Sequence, residues 1–429
     1  MVSASLGLRL PPQVGGQPIS RAVRPSVPSD CGDMMKATAL AAISAVIMIV
    51  GCHRVQNRDQ PPPSDPTVAP AAKSVPTDAE LVADVERFVN QLVLADQFSG
   101  GVLLMRDGTP LIRQAYGLAD RATMRRNTPD TPFALGSVSK MFTAVLVAQL
   151  LERNMLQPGT TIGQVLPDFP AGPAKDHVTV QQLLTMSSGI ADIFQSPEFL
   201  DTVGRARTLS DFWPVFASKP LGFTPGSDWA YSNANFLVLG AIVEKAFGES
   251  FVTLAEQRIF HRAGMVNTSY QEPTSARPAR GYTRLTQGPE RSDGSPWSPA
   301  WNENAVTPLV HVPMGGGWSA LDDLARFANA LMQGRLVRRE TLDRMTTGIV
   351  PADYGGRDGY GFETRVVNGV RVAGHRGGAP GVANQVEFYP DLGYVTVVLG
   401  NTDGGGAWEI AKHVQSVIAG SSSLSRRRR

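Results

Sequence analysis

The sequence predicts a mixed α/β chain of the α+β kind. One antiparallel sheet is built from strands near both ends of the folded region and flanked by helices, with a helical subdomain inserted between them. Three observations predict it. Asp107-Gly108 separates two β-rich runs early in the globular texture, Asn368-Gly369 and Pro390-Asp391-Leu392-Gly393 separate further β-rich runs near its end, and the stretch from about 135 to 330 reads as helix-rich. Asp-Gly and Asn-Gly favour two-residue hairpin turns because both central residues must take positive φ. Strands grouped apart from helices is the pattern of segregated α+β layers.

Taken in order, Leu81, Val85, Phe88, Val89 and Leu92 recur at helical spacing and predict an opening amphipathic helix. Gly101–Met105 and Leu111–Ala115 then form a hairpin around Asp107-Gly108. The apolar run from Met141 to Leu151 predicts a helix buried on nearly every side. Phe236–Gly240 is a second such run. Val366-Val367 and Val370–Val372 flank Asn368-Gly369, and Gln385–Tyr389 and Tyr394–Leu399 flank the turn at 390–393. A last helix from about Trp408 to Ile418 closes the domain, and no internal repeat is visible.

The ends read differently. Lys36 precedes a fifteen-residue apolar run that ends at Gly51-Cys52. As a helix it spans about 22 Å, short of the ~30 Å of a bilayer core, which favours a signal segment over a permanent span. Ile49-Val50-Gly51-Cys52 resembles a bacterial lipobox, which implies cleavage before Cys52 and lipidation of its thiol. Residues 1–52 are therefore read as a leader and lipoprotein-type signal, with Met34 or Met35 as a candidate start. Residues 53–77, containing Pro61-Pro62-Pro63, are read as a semi-rigid linker. The globular domain runs from 78 to 420, and 421–429 is a basic tail. The expected location is the bacterial cell envelope, exported and facing the periplasm or exterior, with a lipid anchor or the signal segment as the link to membrane.

Composition narrows the function. The 429 residues carry a net charge of +2, of which Arg426–Arg429 supply four, so the remainder is slightly acidic and a nucleic-acid partner has no basic footprint. Cys31 and Cys52 are the only cysteines and both precede the globular region. Neither an internal disulfide nor a Cys/His zinc site is expected, and no metal or cofactor is expected. His177, His261, His311 and His413 are read as surface or structural residues. Gly315-Gly316-Gly317 precedes Trp318 rather than a Lys-Ser/Thr pair, so it is read as a close-packed turn near the cleft and not a phosphate loop. Oligomeric state is left open.

Ser137 and Lys140 stand three residues apart at the start of the buried helix, on one face. The helix dipole and desolvation both disfavour the ammonium form of Lys140, leaving an amine able to take the Ser137 proton. Ser-x-x-Lys alone is weak. Tyr231-Ser232-Asn233, before a second apolar run, adds a phenol able to act as general base or acid and an amide able to orient a carbonyl. His375-Arg376-Gly377-Gly378 follows a strand expected to end at Gly374. Alternation then turns His375 and Gly377 to the cleft and Arg376 away. The bare Gly377 leaves room for substrate, and the backbone N–H groups of Ser137 and Gly378 are candidates for an oxyanion hole.

Ser-x-x-Lys, Tyr-x-Asn and His-x-Gly in this order resemble the serine β-lactamase and penicillin-binding-protein superfamily, in its class C, D,D-peptidase and family VIII esterase branch. Phe133–Gly136, Leu183–Gly189, Gly315–Ser319 and Tyr360–Phe362 extend the resemblance over roughly 80 to 415. It implies a β-lactamase/transpeptidase-like fold and an acyl-enzyme on Ser137, with Lys140 and Tyr231 moving protons. Three departures stand out: Met186 where many relatives carry histidine, His375 where class C lactamases carry lysine, and no Glu-x-x-x-Asn after Ser137 to supply a deacylation base. These favour a hydrolase of esters or D-amino-acid peptides over a β-lactamase. A β-lactam-hydrolysing enzyme and a silent relative binding peptidoglycan or a partner are the alternatives.

Overall fold

The computed structural model describes residues 77–273, 277–285, 297–304 and 312–422. The expected leader, Cys52, nearly all of the linker, the end of the basic tail and His311 lie outside them.

Helix α1 (Asp78–Leu94) opens with a capping box in which Thr77 Oγ1 accepts from the Glu80 N–H and the Glu80 carboxylate accepts from the Thr77 N–H. Its buried residues are Leu81, Val85, Val89 and Leu92, one face of the predicted helix. Strands β1 (Gly100–Arg106) and β2 (Thr109–Tyr116) follow as a hairpin whose turn residues Asp107 and Gly108 have φ of 49° and 83°. Pro110 is tolerated because β2 is a sheet edge.

At the far end lie β3 (Val350–Pro351), β4 (Arg357–Asp358), β5 (Glu363–Val367), β6 (Val370–Ala379), β7 (Val382–Tyr389) and β8 (Tyr394–Gly400). The eight strands form one antiparallel sheet in the order β2-β1-β8-β7-β6-β5-β4-β3. Pairing of β1 with β8, from Gly100 opposite Gly400 to Arg106 opposite Tyr394, joins the two ends of the chain.

Alternation along the strands sorts the core. Val102, Leu104 and Val398 face α1 and the closing helix, Gly406–Ser422, through Val85, Val89, Ile410 and Val414. Leu103, Met105, Val397, Val386 and Phe388 face the other way, into the helical layer. That layer includes α2 (Lys140–Glu152), α3 (Asn233–Phe247) and α4 (Leu321–Met332). Every residue of α2 from Lys140 to Leu150 is buried, and Phe142 meets Phe260 and Phe327 edge to face.

Two expectations are corrected. Ser137 does not lie in the first α-helical turn: residues Gly136–Ser139 form a 3₁₀ turn that runs into α2. The strand expected to end at Gly374 continues to Ala379, because β7 keeps pairing with it as far as Val382 opposite Ala379. The glycines at 374, 377 and 378 do not break a ladder whose partner strand is buried throughout.

Candidate active site

The turn that carries Ser137 is seated by three elements. Gly136 has φ of 55°, and a β-carbon there would lie 3.3 Å from the Gly378 nitrogen. Strand β6 presses on the same turn, since a β-carbon on Gly377 would stand 2.2 Å from the Leu135 carbonyl oxygen. Gly377 is thus bare to let strand and turn touch, not only to admit substrate. From β7, Asn384 Nδ2 donates to the carbonyls of Ala134 (2.8 Å) and Leu135 (3.0 Å). From the glycine run, the Gly317 carbonyl accepts from the Leu135 N–H at 2.9 Å, so the stretch 315–317 is a packed turn behind the nucleophile.

Lys140 is fully buried, and its Nζ has three oxygen neighbours: Ser137 Oγ at 2.9 Å, Asn233 Oδ1 at 2.7 Å and the Met314 carbonyl. Burial pulls its pKa down to about 7, against the opposing charges of Asp192 and Glu363. A neutral amine has two hydrogens. Asn233 Oδ1 and the Met314 oxygen can only accept, so they take both, and the lone pair is left for the Ser137 hydroxyl proton. The Tyr231 hydroxyl donates to Ser137 Oγ at 2.9 Å. Burial pushes the Tyr231 pKa well up, more than the Arg376 charge lowers it. Tyr231 is therefore a neutral phenol suited to giving a proton.

Asn233 opens α3, and its amide faces inward. While Oδ1 accepts from Lys140, Nδ2 lies 3.1 Å from both oxygens of Asp192, whose Oδ1 also accepts the Asn233 N–H at 3.3 Å. Asp192, 6% exposed, was not singled out by sequence reasoning. Burial raises its pKa and the bonds from Asn233 and Phe194 oppose that rise. Met186 takes φ of 54° and its sulfur accepts from the Ser232 N–H and Asn235 Nδ2 at 3.5 Å, directly beneath the Tyr231 loop.

His375 faces the helical layer with Gly377. It is buried, its Nδ1 lies 2.6 Å from the Arg376 carbonyl, and burial lowers its pKa to about 4, so the ring is neutral. Arg376 does not leave the site as alternation implied. Its Nε donates to Glu363 Oε1 at 3.0 Å, its guanidinium lies 5.3 Å from the Tyr354 ring centroid, and its charge is felt at Tyr231. Here β5 starts at Glu363, opposite Gly374, so β6 beyond it is a sheet edge open to the cleft. Glu363, whose charge reaches Lys140, Tyr231 and His375, was also missed; it directly follows the Tyr360–Phe362 stretch. Among the described residues no cluster of His, Cys, Asp and Glu is placed to hold a metal. His177 and His261 are exposed, and His413 bonds to Asp84 and stacks on Phe88, away from Ser137.

A family model described as Beta-lactamase matches residues 85–417. The chain belongs to the beta-lactamase family. Esterase EstB of Burkholderia gladioli is 28% identical over 324 residues, covering 69% of this chain and 82% of that protein. PbpX of Bacillus subtilis is 27% identical over 265 residues, covering 60% of this chain; the chain spans only 61% of PbpX. Among solved structures, a D-stereospecific amidohydrolase from Streptomyces superposes with a TM-score of 0.64 at 26% identity, covering 80% of this chain and 98% of that one.

Proposed function

We propose that the chain is a serine hydrolase that acts through an acyl-enzyme on ester or D-amino-acid amide bonds. The observation that carries this is the double contact on Ser137 Oγ, with the Lys140 amine and the Tyr231 hydroxyl each at 2.9 Å. Ser137 Oγ attacks the substrate carbonyl carbon as its proton passes to the Lys140 lone pair. The N–H groups of Ser137 and Gly378 receive the developing oxyanion. The bond to the leaving group then breaks, and the proton reaches the leaving oxygen or nitrogen by way of Tyr231. Water repeats the sequence in reverse on the acyl-Ser137 ester, with Lys140 and Tyr231 moving its proton.

The esterase and amidohydrolase names among the relatives support this substrate range. The electrostatics favour it over β-lactams. His375 and Lys140 are neutral in this arrangement and Arg376 already faces Glu363, so a substrate carboxylate meets no unpaired cation among the described residues of this strand edge. The test uses the full chain beside Ser137→Ala, with p-nitrophenyl esters, D-amino-acid amides, nitrocefin and a fluorescent penicillin. Turnover and covalent labelling should vanish in Ser137→Ala. Turnover that survives there overturns the nucleophile, and nitrocefin turned over far faster than esters overturns the substrate range.

We also propose that Cys52 carries lipid and holds the enzyme at the bacterial envelope, on the strength of the apolar run and the Gly51-Cys52 ending. Cys52→Ser should move the protein from membrane to soluble fractions; a variant that stays on the membrane refutes the anchor.

A further inference from the structure

Trp229, two residues before Tyr231, reaches a buried acid that the proposed chemistry does not use. Asp358 ends β4 and is 6% exposed. Its Oδ2 accepts from Trp229 Nε1 at 2.6 Å, and its Oδ1 lies 2.8 Å from the Tyr354 hydroxyl. Trp229 stands two residues before Tyr231 and meets the Tyr354 ring edge to face, at 6.1 Å between centroids. Tyr354 in turn underlies the Arg376 guanidinium. Asp358 therefore sits where the loop bearing Tyr231, on the helical side of the cleft, meets the sheet edge bearing Arg376.

Counting hydrogens assigns its state. The Tyr354 oxygen lies 2.8 Å from both Asp358 Oδ1 and the Arg357 carbonyl oxygen. Each contact of that length needs a hydrogen between the oxygens, and a phenol has only one. The second must come from Asp358. The Trp229 indole only donates, so Oδ2 is the bare oxygen and the proton belongs on Oδ1. The surroundings agree. Burial raises the Asp358 pKa to about 7 and the Glu363 charge adds to the rise, while the bonds from Trp229 and Tyr354 and the Arg376 charge oppose it. The neighbouring groups are Glu363 from β5, Arg376 from β6, Tyr354 held neutral by burial, and the uncharged Trp229, with Asp353, between β3 and β4, acting on the same Arg376 and Glu363. Arg357 is turned to the carbonyls of Gly348 and Ile349.

We propose that Asp358 is a positioning residue that works as a neutral carboxylic acid, donating to Tyr354 while accepting from Trp229, and so ties the Tyr231 loop to the sheet edge. The inference rests on Tyr231 having the role proposed above. Ionisation removes one of the two hydrogens around the Tyr354 oxygen and adds another carboxylate, beside Glu363 and Asp353, in competition for Arg376. Arg376 lowers the Tyr231 pKa and Glu363 raises it, so the field at the phenol changes when that pair is disturbed.

The test compares wild type, Asp358→Asn and Asp358→Ala in the full chain. An asparagine reproduces the neutral acid, its amide nitrogen donating to Tyr354 and its oxygen accepting from Trp229. Asp358→Asn should stay within about threefold of wild-type kcat/KM on a p-nitrophenyl ester at mildly acidic pH and should lose the alkaline fall in rate, whereas Asp358→Ala should lose about tenfold or more in kcat throughout. The infrared difference between wild type and Asp358→Asn should contain the C=O band of a protonated carboxylic acid at mildly acidic pH, gone at mildly alkaline pH. The proposal is overturned by absence of that band, by an unchanged alkaline limb in Asp358→Asn, or by a folded Asp358→Asn as slow as Asp358→Ala. A wild type that neither turns over esters nor labels at Ser137 overturns the hydrolase reading instead, and the infrared band then decides whether the neutral acid stands.

Discussion

Lys140 has one hydrogen too few, as a neutral amine, to satisfy three oxygen neighbours, and that shortfall directs its lone pair at Ser137. Its pKa near 7 gives the sign of the acidic limb: the base is absent below that value, so ester acylation should rise as the pH climbs toward about 7, and the fall above it belongs to the ionisation of Asp358. Lys140→Ala should lower kcat/KM about 10²–10⁴-fold and erase that rising limb; a limb that persists unchanged assigns it to another group. Asp192 is the second residue whose loss should be felt. Asp192→Ala leaves the buried Asn233 Nδ2 without its acceptors, which costs about 1–3 kcal/mol and should show as a lower melting temperature together with slower acylation. Ser137 with Lys140 was legible because a three-residue spacing brings them together in a 3₁₀ turn as it would in a helix, and because the Tyr231 and His375 motifs downstream gave that spacing a meaning. Asp192 and Glu363 were not, since single acids in loops and at strand starts acquire meaning only from what folds against them.

At the scale of elements, β6 is the strand on which the site depends. Among the described residues no strand pairs with its outer edge beyond Glu363, while its inner face touches the Ser137 turn through Gly377. Gly377→Ala puts a methyl 2.2 Å from the Leu135 oxygen, a contact that cannot exist, so turn or strand must shift. Displacements of this kind at a nucleophile cost about 10²-fold. Gly377→Ala should thus acylate far more slowly than wild type, and near-wild-type labelling would show that the turn has slack. The hairpins were readable from Asp107-Gly108 and Asn368-Gly369, whose positive φ values few other dipeptides supply. The length of β6 was not, because glycines that usually weaken a strand are here retained by pairing with buried β7 and by close packing against the turn. Strands β3 and β4, two residues each, carry no periodicity to read.

The whole molecule is organised so that its site exists only when both ends of the chain are in the sheet. Strand β1 lies between β2 and β8, with α1 and the closing helix on one face and the helical layer on the other. Asn384 of β7 links these layers. It holds the Ala134 and Leu135 carbonyls before Ser137, accepts the Gly400 N–H at 3.0 Å, and through its carbonyl accepts from Trp408 of the closing helix at 3.0 Å. Sheet and nucleophile turn therefore share one buried side chain, 0% exposed, and the closing helix bonds the backbone carbonyl of the same residue. Urea unfolding followed by far-ultraviolet circular dichroism, tryptophan emission and residual Ser137 labelling should give one coincident transition. Asn384→Leu removes two buried donor bonds and one acceptor, each worth about 1 kcal/mol net and more where a carbonyl is left unpaired. It should move all three curves to lower urea by the same amount. A variant in which labelling fails well before the circular dichroism changes would show that the Ser137 turn melts on its own, and that the sheet does not hold it.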